Sequence, residues 1–93
     1  MDIKQKGFKM ITLPPQAIVA RFVKETDAET GAEVKLFRES CKLSQADVQN
    51  KLNEPAGMLS RIENGKAKAT IVFLIKFHRA CVALVNEKNE EVN

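Results

Sequence analysis

The chain has no Trp and no Tyr, and among its 93 residues only one His, two Cys, three Pro and four Gly. Each shortage narrows what it can be. With five Phe as the only aromatic residues, a core has to rest on Val, Ile, Leu, Met and Ala. A chain this short buries only about 60–65% of the surface its unfolded form exposes, which allows one small domain and makes self-association an aid to stability. His78, Cys41 and Cys81 stand apart, with no CxxC and no His/Cys cluster, so no donor set for zinc is present. We expect no metal and no other cofactor, core or boundary positions for those three residues, and reduced thiols in a cytoplasmic setting. No signal-like N terminus is present. The apolar run over residues 71–85 is broken by Lys76, His78 and Arg79, short of the roughly 20 residues of a membrane span. A Gly-rich phosphate loop is missing, as is a nucleophile paired with a base, so an enzyme is the least supported class and no catalytic residue is nominated.

What is present is charge, unevenly spread. The net charge is +3 with a pI near 9.0. Residues 33–79 hold nine Lys or Arg against five acids, whereas residues 87–91 hold three acids and one Lys. A basic middle suits a polyanion partner, although many ordinary domains carry as much charge.

Along the chain, residues 1–7 are polar and offer little to bury. Residues 8–13 (FKMITL) partly alternate and admit a short strand, stopped by Pro14 and Pro15. Ala17, Ile18, Phe22 and Val23 recur at helical spacing, which predicts a helix over 16–25. TDAETG at 26–31 reads as an acidic connection, followed by a helix from about Ala32 to Lys42 with Val34, Phe37 and Cys41 inward. Ser44 is a good N-cap for a two-turn helix carrying Val48 and Leu52. Pro55 fits the first turn of a second short helix, with Met58, Leu59 and Ile62 inward, Asn64 before the stop and Gly65 as its left-handed end. Thr70 caps a further helix whose stripe includes Ile71, Leu74, Ile75 and His78, continued by Phe77 and Cys81. ACVALV at 80–85 fits both templates, and we take it as helix.

Two short helices about a tight turn, closed by Asn-Gly, read as a helix-turn-helix with the second helix as reading head. Val34, Phe37, Arg38, Leu43, Ser44, Gln45, Val48, Leu59, Ser60, Ile62, Glu63, Asn64 and Gly65 together resemble the phage-repressor/Cro, or XRE, family over residues 33 to about 80. That resemblance implies an all-α, lambda-repressor-like five-helix bundle, dimeric binding to palindromic operators and control of transcription. The domain organisation expected is an N-terminal extension over 1–30, with an extra helix and room for a strand, a DNA-binding domain over 31–86, and a charged tail over 87–93.

The resemblance also nominates residues. Gln45 stands where relatives contact a phosphate or a neighbouring base, or it merely caps its helix. Ala56, Gly57, Ser60 and Arg61 occupy base-facing positions, and Asn64, Lys66 and Lys68 occupy backbone-contact positions. Arg61 can donate two hydrogen bonds to guanine, worth about 1–3 kcal/mol of discrimination; the bland alternative is a solvated or acid-paired Arg. Ser60 is either a contact or the small residue that permits close approach. Lys66 and Lys68 add affinity and salt dependence, or are a solvated basic loop. Arg38 and Glu63 are expected to form a structural ion pair. Three departures stand out: Glu54 replaces an apolar turn residue, Gln49 a small one, and Ala56-Gly57 the usual polar readers. The expected partners are double-stranded DNA and a second copy of the chain, with no membrane. The alternative is an antitoxin that also autoregulates, its extension or tail binding a protein toxin.

Overall fold

The computed structural model describes residues 9–91. Five helices follow one another: α1 (Pro15–Phe22), α2 (Asp27–Ser40), α3 (Gln45–Leu52), α4 (Met58–Glu63) and α5 (Ile71–Glu91). No strand occurs among the described residues. The strand admitted for 8–13 is absent where it can be followed: Met10 spends its amide on Asn86, donating to Oδ1 at 2.7 Å and accepting from Nδ2 at 3.2 Å, so no second strand pairs there.

α1 starts as proline chemistry dictates, with Pro15 at the first helical positions where a missing N–H costs nothing. It stops at Phe22 and not at residue 25, because Val23 is extended (φ −78°, ψ 122°). Ile18 and Phe22, one turn apart, are fully buried in the same core as the other helices. Burying each removes a side chain worth about 2–3 kcal/mol from water.

α2 begins at Asp27, about five residues earlier than its apolar spacing suggests. Thr26 and Glu29 form a reciprocal capping box: the Thr26 hydroxyl accepts from the Glu29 amide at 3.1 Å, and the Glu29 carboxylate accepts from the Thr26 amide at 3.2 Å. Gly31 therefore lies inside the helix. Lys42 (φ 62°) ends α2 with paired bonds from Lys42 N to Glu39 O and Leu43 N to Arg38 O, the work a glycine usually does.

α5 is continuous, so ACVALV is helical and residues 87–91 extend the helix. Thr70 caps it as expected, its hydroxyl accepting from Phe73 N at 3.0 Å. Its buried face is Phe73, Leu74, Phe77, His78, Ala80, Cys81 and Val82, whereas Ile71, assigned to that stripe from the sequence, is 52% exposed. Phe22, Phe37, Phe73, Phe77 and His78 form one aromatic cluster, with Phe22 edge-on to Phe77 at 5.7 Å and Phe37 against His78 at 5.4 Å. Burial lowers the His78 pKa and so holds the imidazole neutral. Burial likewise pushes the Cys81 thiol up to about 12 and raises Cys41, so both cysteines stay protonated thiols at neutral pH.

Candidate nucleic-acid interface

α3 and α4 are short, so their placement depends on what holds their ends. Ser44 caps α3, accepting from Asp47 N at 3.0 Å. Val48 and Leu52 bury one face, and Asn53 in the left-handed region (φ 59°) ends the helix.

The chain then departs from the expected second helix. Pro55 does not open α4, which starts only at Met58. Pro55 instead begins a turn closed by Met58 N donating to Pro55 O at 3.1 Å, with Gly57 at φ 81°, ψ −3° in the third position. That is a type II turn, which favours glycine there. Ala56 and Gly57 consequently belong to the turn.

Gly57 gives α4 no side-chain cap, and α3 supplies one. Gln49 Oε1 accepts from Leu59 N at 2.9 Å, while its Nε2 donates to Glu54 O at 3.1 Å and Pro55 O at 3.2 Å. One amide thus satisfies a free helix N–H and two turn carbonyls. Sequence reasoning took Gln49 only as an obstacle to close packing. The available signal was that a long amide can both donate and accept opposite a Pro-containing turn. Glu54, the other odd residue, pairs with Lys76 of α5 at 2.7 Å.

The other end of α4 is tied to α2. Arg38 donates from Nε to Glu63 Oε2 at 2.7 Å, from Nη2 to Glu63 Oε1 at 3.0 Å, and from Nη1 to Leu43 O at 2.8 Å. Both residues are buried, and the hydrogen bond to Glu63 raises the Arg38 pKa in spite of desolvation. Beyond the pair, α4 ends in a Schellman motif, Lys66 N to Arg61 O at 2.8 Å and Gly65 N to Ile62 O at 3.0 Å, with Gly65 at φ 73°.

The nominated residues fall as follows. Gln45, half-buried at the start of α3, donates Nε2 to Glu63 Oε1 at 2.9 Å. Because a carboxylate only accepts, the amide orientation is fixed, leaving Oε1 and one N–H uncommitted among the described residues. Gln45, Gly57 and Ser60 share a shallow cleft between α3 and α4, completed by Ala46, Gln49 and Leu59. Arg61 is exposed, with Met58 Sδ at 4.0 Å and no carboxylate partner among the described residues. Asn64 spends Nδ2 on Ser60 O at 2.9 Å. Lys66 and Lys68 are exposed while Ala67 and Ala69 pack on the core, so the segment alternates and turns its cations to solvent.

A model of the helix-turn-helix family matches residues 34–81, just over half of the chain. The chain belongs to this family, in its XRE type. It is therefore a DNA-binding transcriptional regulator, and the family is one of regulators and not of enzymes. No curated protein and no solved structure matches it. Among the described residues of this helix-turn-helix protein, no helix is long and apolar enough to cross a membrane, and no group of His, Cys, Asp and Glu is placed to hold a metal.

Proposed function

We propose that the chain is a homodimeric, sequence-specific repressor that sets the Pro55–Met58 turn and α4 into the major groove of each half of a palindromic operator. Half-sites then lie about one helical turn of DNA apart. The observation that carries this reading is Arg61, a cation left unpaired at the surface of α4 in its last turn, beside the Glu63 that locks the helix to α2 through Arg38. A free guanidinium on a fixed backbone is suited to guanine O6 and N7. Ser60 stands beside it. Lys66, Lys68 and Asn64 supply contacts to the DNA backbone, with the two lysines carrying most of the salt dependence. Ala56 and Gly57 bring backbone, not polar side chains, to the groove, which leaves Ala56 to meet a thymine methyl. Gln45, with Oε1 and one N–H in hand, matches the N6 and N7 edge of adenine better than it matches a phosphate, which only accepts.

The test is selection of bound DNA from a random pool at about 0.15 M salt, a range in which non-specific binding is weak. We expect a palindromic consensus, and expect Arg61→Ala to lose preference at one base pair per half-site at a cost of about 1–3 kcal/mol. Enrichment of no sequence over random DNA, or an unchanged consensus in Arg61→Ala, refutes it. The antitoxin reading has less support, because Ile18 and Phe22 are spent on the chain's own core and are not free to grip a toxin. Co-purification of a second small protein with the chain would revive it.

A further inference from the structure

The Arg38–Glu63 pair has a third member. Glu63 Oε2 accepts from Arg38 Nε at 2.7 Å, whereas Oε1 accepts from two donors, Arg38 Nη2 at 3.0 Å and Gln45 Nε2 at 2.9 Å. Arg38 alone would complete the tie between α2 and α4. The added bond runs to the first residue of α3, whose side chain lines the same cleft as Gly57 and Ser60. The Glu63 side chain is only 1% exposed, so water cannot take the place of a partner there. A Gln45 amide turned over by 180° would set Oε1 against this carboxylate, acceptor to acceptor, with nothing to satisfy either. While it lies in the cleft, the amide has one orientation.

We propose that Glu63 is a positioning residue for base recognition, holding the Gln45 amide so that it distinguishes adenine from guanine in each half-site. This rests on the repressor reading, which sets Gln45 at an adenine edge. With one N–H spent on Glu63, Gln45 offers one acceptor and one donor, the complement of adenine N6–H and N7. Guanine presents acceptors at both O6 and N7, so its O6 meets Gln45 Oε1 and is refused. The turned-over amide would offer two N–H groups and admit guanine. The choice at this base pair is therefore made by a carboxylate that does not itself touch the base. Arg61 lies outside this trio, and its own base pair is read independently.

The test removes the carboxylate without loosening the helices. Exchanging a buried ion pair for apolar residues of similar volume is often neutral in stability, so the double variant Arg38→Met with Glu63→Leu should fold, as a circular dichroism melt will show, and Gln45 then lacks its acceptor. Gln45→Ala in the parent locates the base pair concerned, as the position of the selected operator where preference falls about tenfold. There the double variant should lose about fivefold or more of the preference for adenine over guanine, while preference at the Arg61 base pair stays within about twofold of the parent. An unchanged preference at the Gln45 base pair overturns the proposal, and so does an equal loss at both base pairs, which would mean that Glu63 acts only by holding α4. Side-chain amide NMR of the parent chain does not depend on the double variant folding. One Gln45 N–H, assigned by its disappearance in Gln45→Ala, should lie downfield and exchange with water more slowly than those of exposed Gln16. A Gln45 amide indistinguishable from that of Gln16 overturns the proposal. Gln45→Ala without effect at any base pair overturns it and leaves the repressor reading standing, whereas a random pool that yields no enriched sequence overturns both.

Discussion

The two ends of α4 are held by different means. At the C-terminal end, a buried guanidinium–carboxylate pair joins α4 to α2, and a Cβ placed on Gly31 would come within 2.0 Å of Ile62 O. At the N-terminal end, a half-exposed Gln49 amide bridges a type II turn. The first arrangement tolerates almost no displacement, since both charges are desolvated and the backbones touch. The second is built from hydrogen bonds that water can replace at modest cost. In the proposed role of reading helix, α4 would use both, one end anchored to the core and the other adaptable where it would meet the groove. It follows that damage at the C-terminal end should appear as lost stability, and damage at the N-terminal end as lost recognition.

The largest expected effect is at the anchored end. Glu63→Ala strands the Arg38 guanidinium and removes the acceptor for Gln45, and should cost about 3–5 kcal/mol of unfolding free energy in a urea titration. For a domain stabilised by about 5–15 kcal/mol in total, much of the fold is at risk. A variant that melts like its parent would show that the pair is solvated and the comparison false.

Gly31→Ala attacks the same end without touching charge. The added methyl meets the Ile62 and Glu63 carbonyls, which are backbone and cannot swing aside, so α2 and α4 must separate. We expect about 3 kcal/mol of destabilisation, at the upper end of overpacking costs. Alanine is otherwise the better helix former by nearly 1 kcal/mol, so a neutral or stabilising result would mean the helices are not in contact there.

At the adaptable end, Gln49→Ala leaves Leu59 N–H and the Glu54 carbonyl without their partner, while the Pro55 carbonyl keeps Met58 N. Water can reach the turn, so the stability loss should be only about 1–2 kcal/mol. Affinity for a selected operator should fall further than stability does, because the approach of the turn to DNA is no longer set. Hydrogen exchange at the Leu59 amide should accelerate in this variant, while exchange in α2 stays as in the parent. Uniform acceleration across the molecule would mean that Gln49 supports the whole fold and not one end of α4.

The same contrast explains what was legible in the sequence. The pair of Glu63 with Arg38, 25 residues and two helices earlier, followed only from the family resemblance, whereas the stop of the anchored end is written locally, since Glu-Asn-Gly ends the helix through Gly65. Ser44 and Thr70 were readable for the same reason, since a cap bonds within a few residues of itself. Thr26 and Glu29 carry the spacing of a capping box, but TDAETG, with Gly31 as its last residue, read as an acidic connection. The place of Gly31 inside α2 has a cause 31 residues downstream, the close pass of the Ile62 carbonyl, which local pattern cannot reveal. Likewise the late start of α4 depends on Gln49 reaching from α3, so Pro55 alone suggested the wrong boundary. Of the nominated surface, Arg61, Lys66 and Lys68 stand exposed as a contact role requires, whereas the tie between Gln45 and Glu63 exists only once α3 and α4 are packed.

The smallest change sharpens the comparison most. Gly57 at φ 81° holds the one position of the type II turn that an L side chain adopts at a cost of about 1 kcal/mol. A Cβ there would meet only Arg61 Nη1, at 3.3 Å, the far end of a flexible side chain. Gly57→Ala should therefore fold, losing about 1 kcal/mol in denaturant through backbone strain alone. Its guanidinium neighbour, however, must move away from the turn, and with it the proposed contact to guanine. Competition binding against the selected operator and its single-base variants should show discrimination weakened at the Arg61 position and preserved elsewhere. If discrimination holds while stability falls by the expected amount, Arg61 reads DNA from a position independent of the turn, and the adaptable end of α4 is smaller than the Gln49 network suggests.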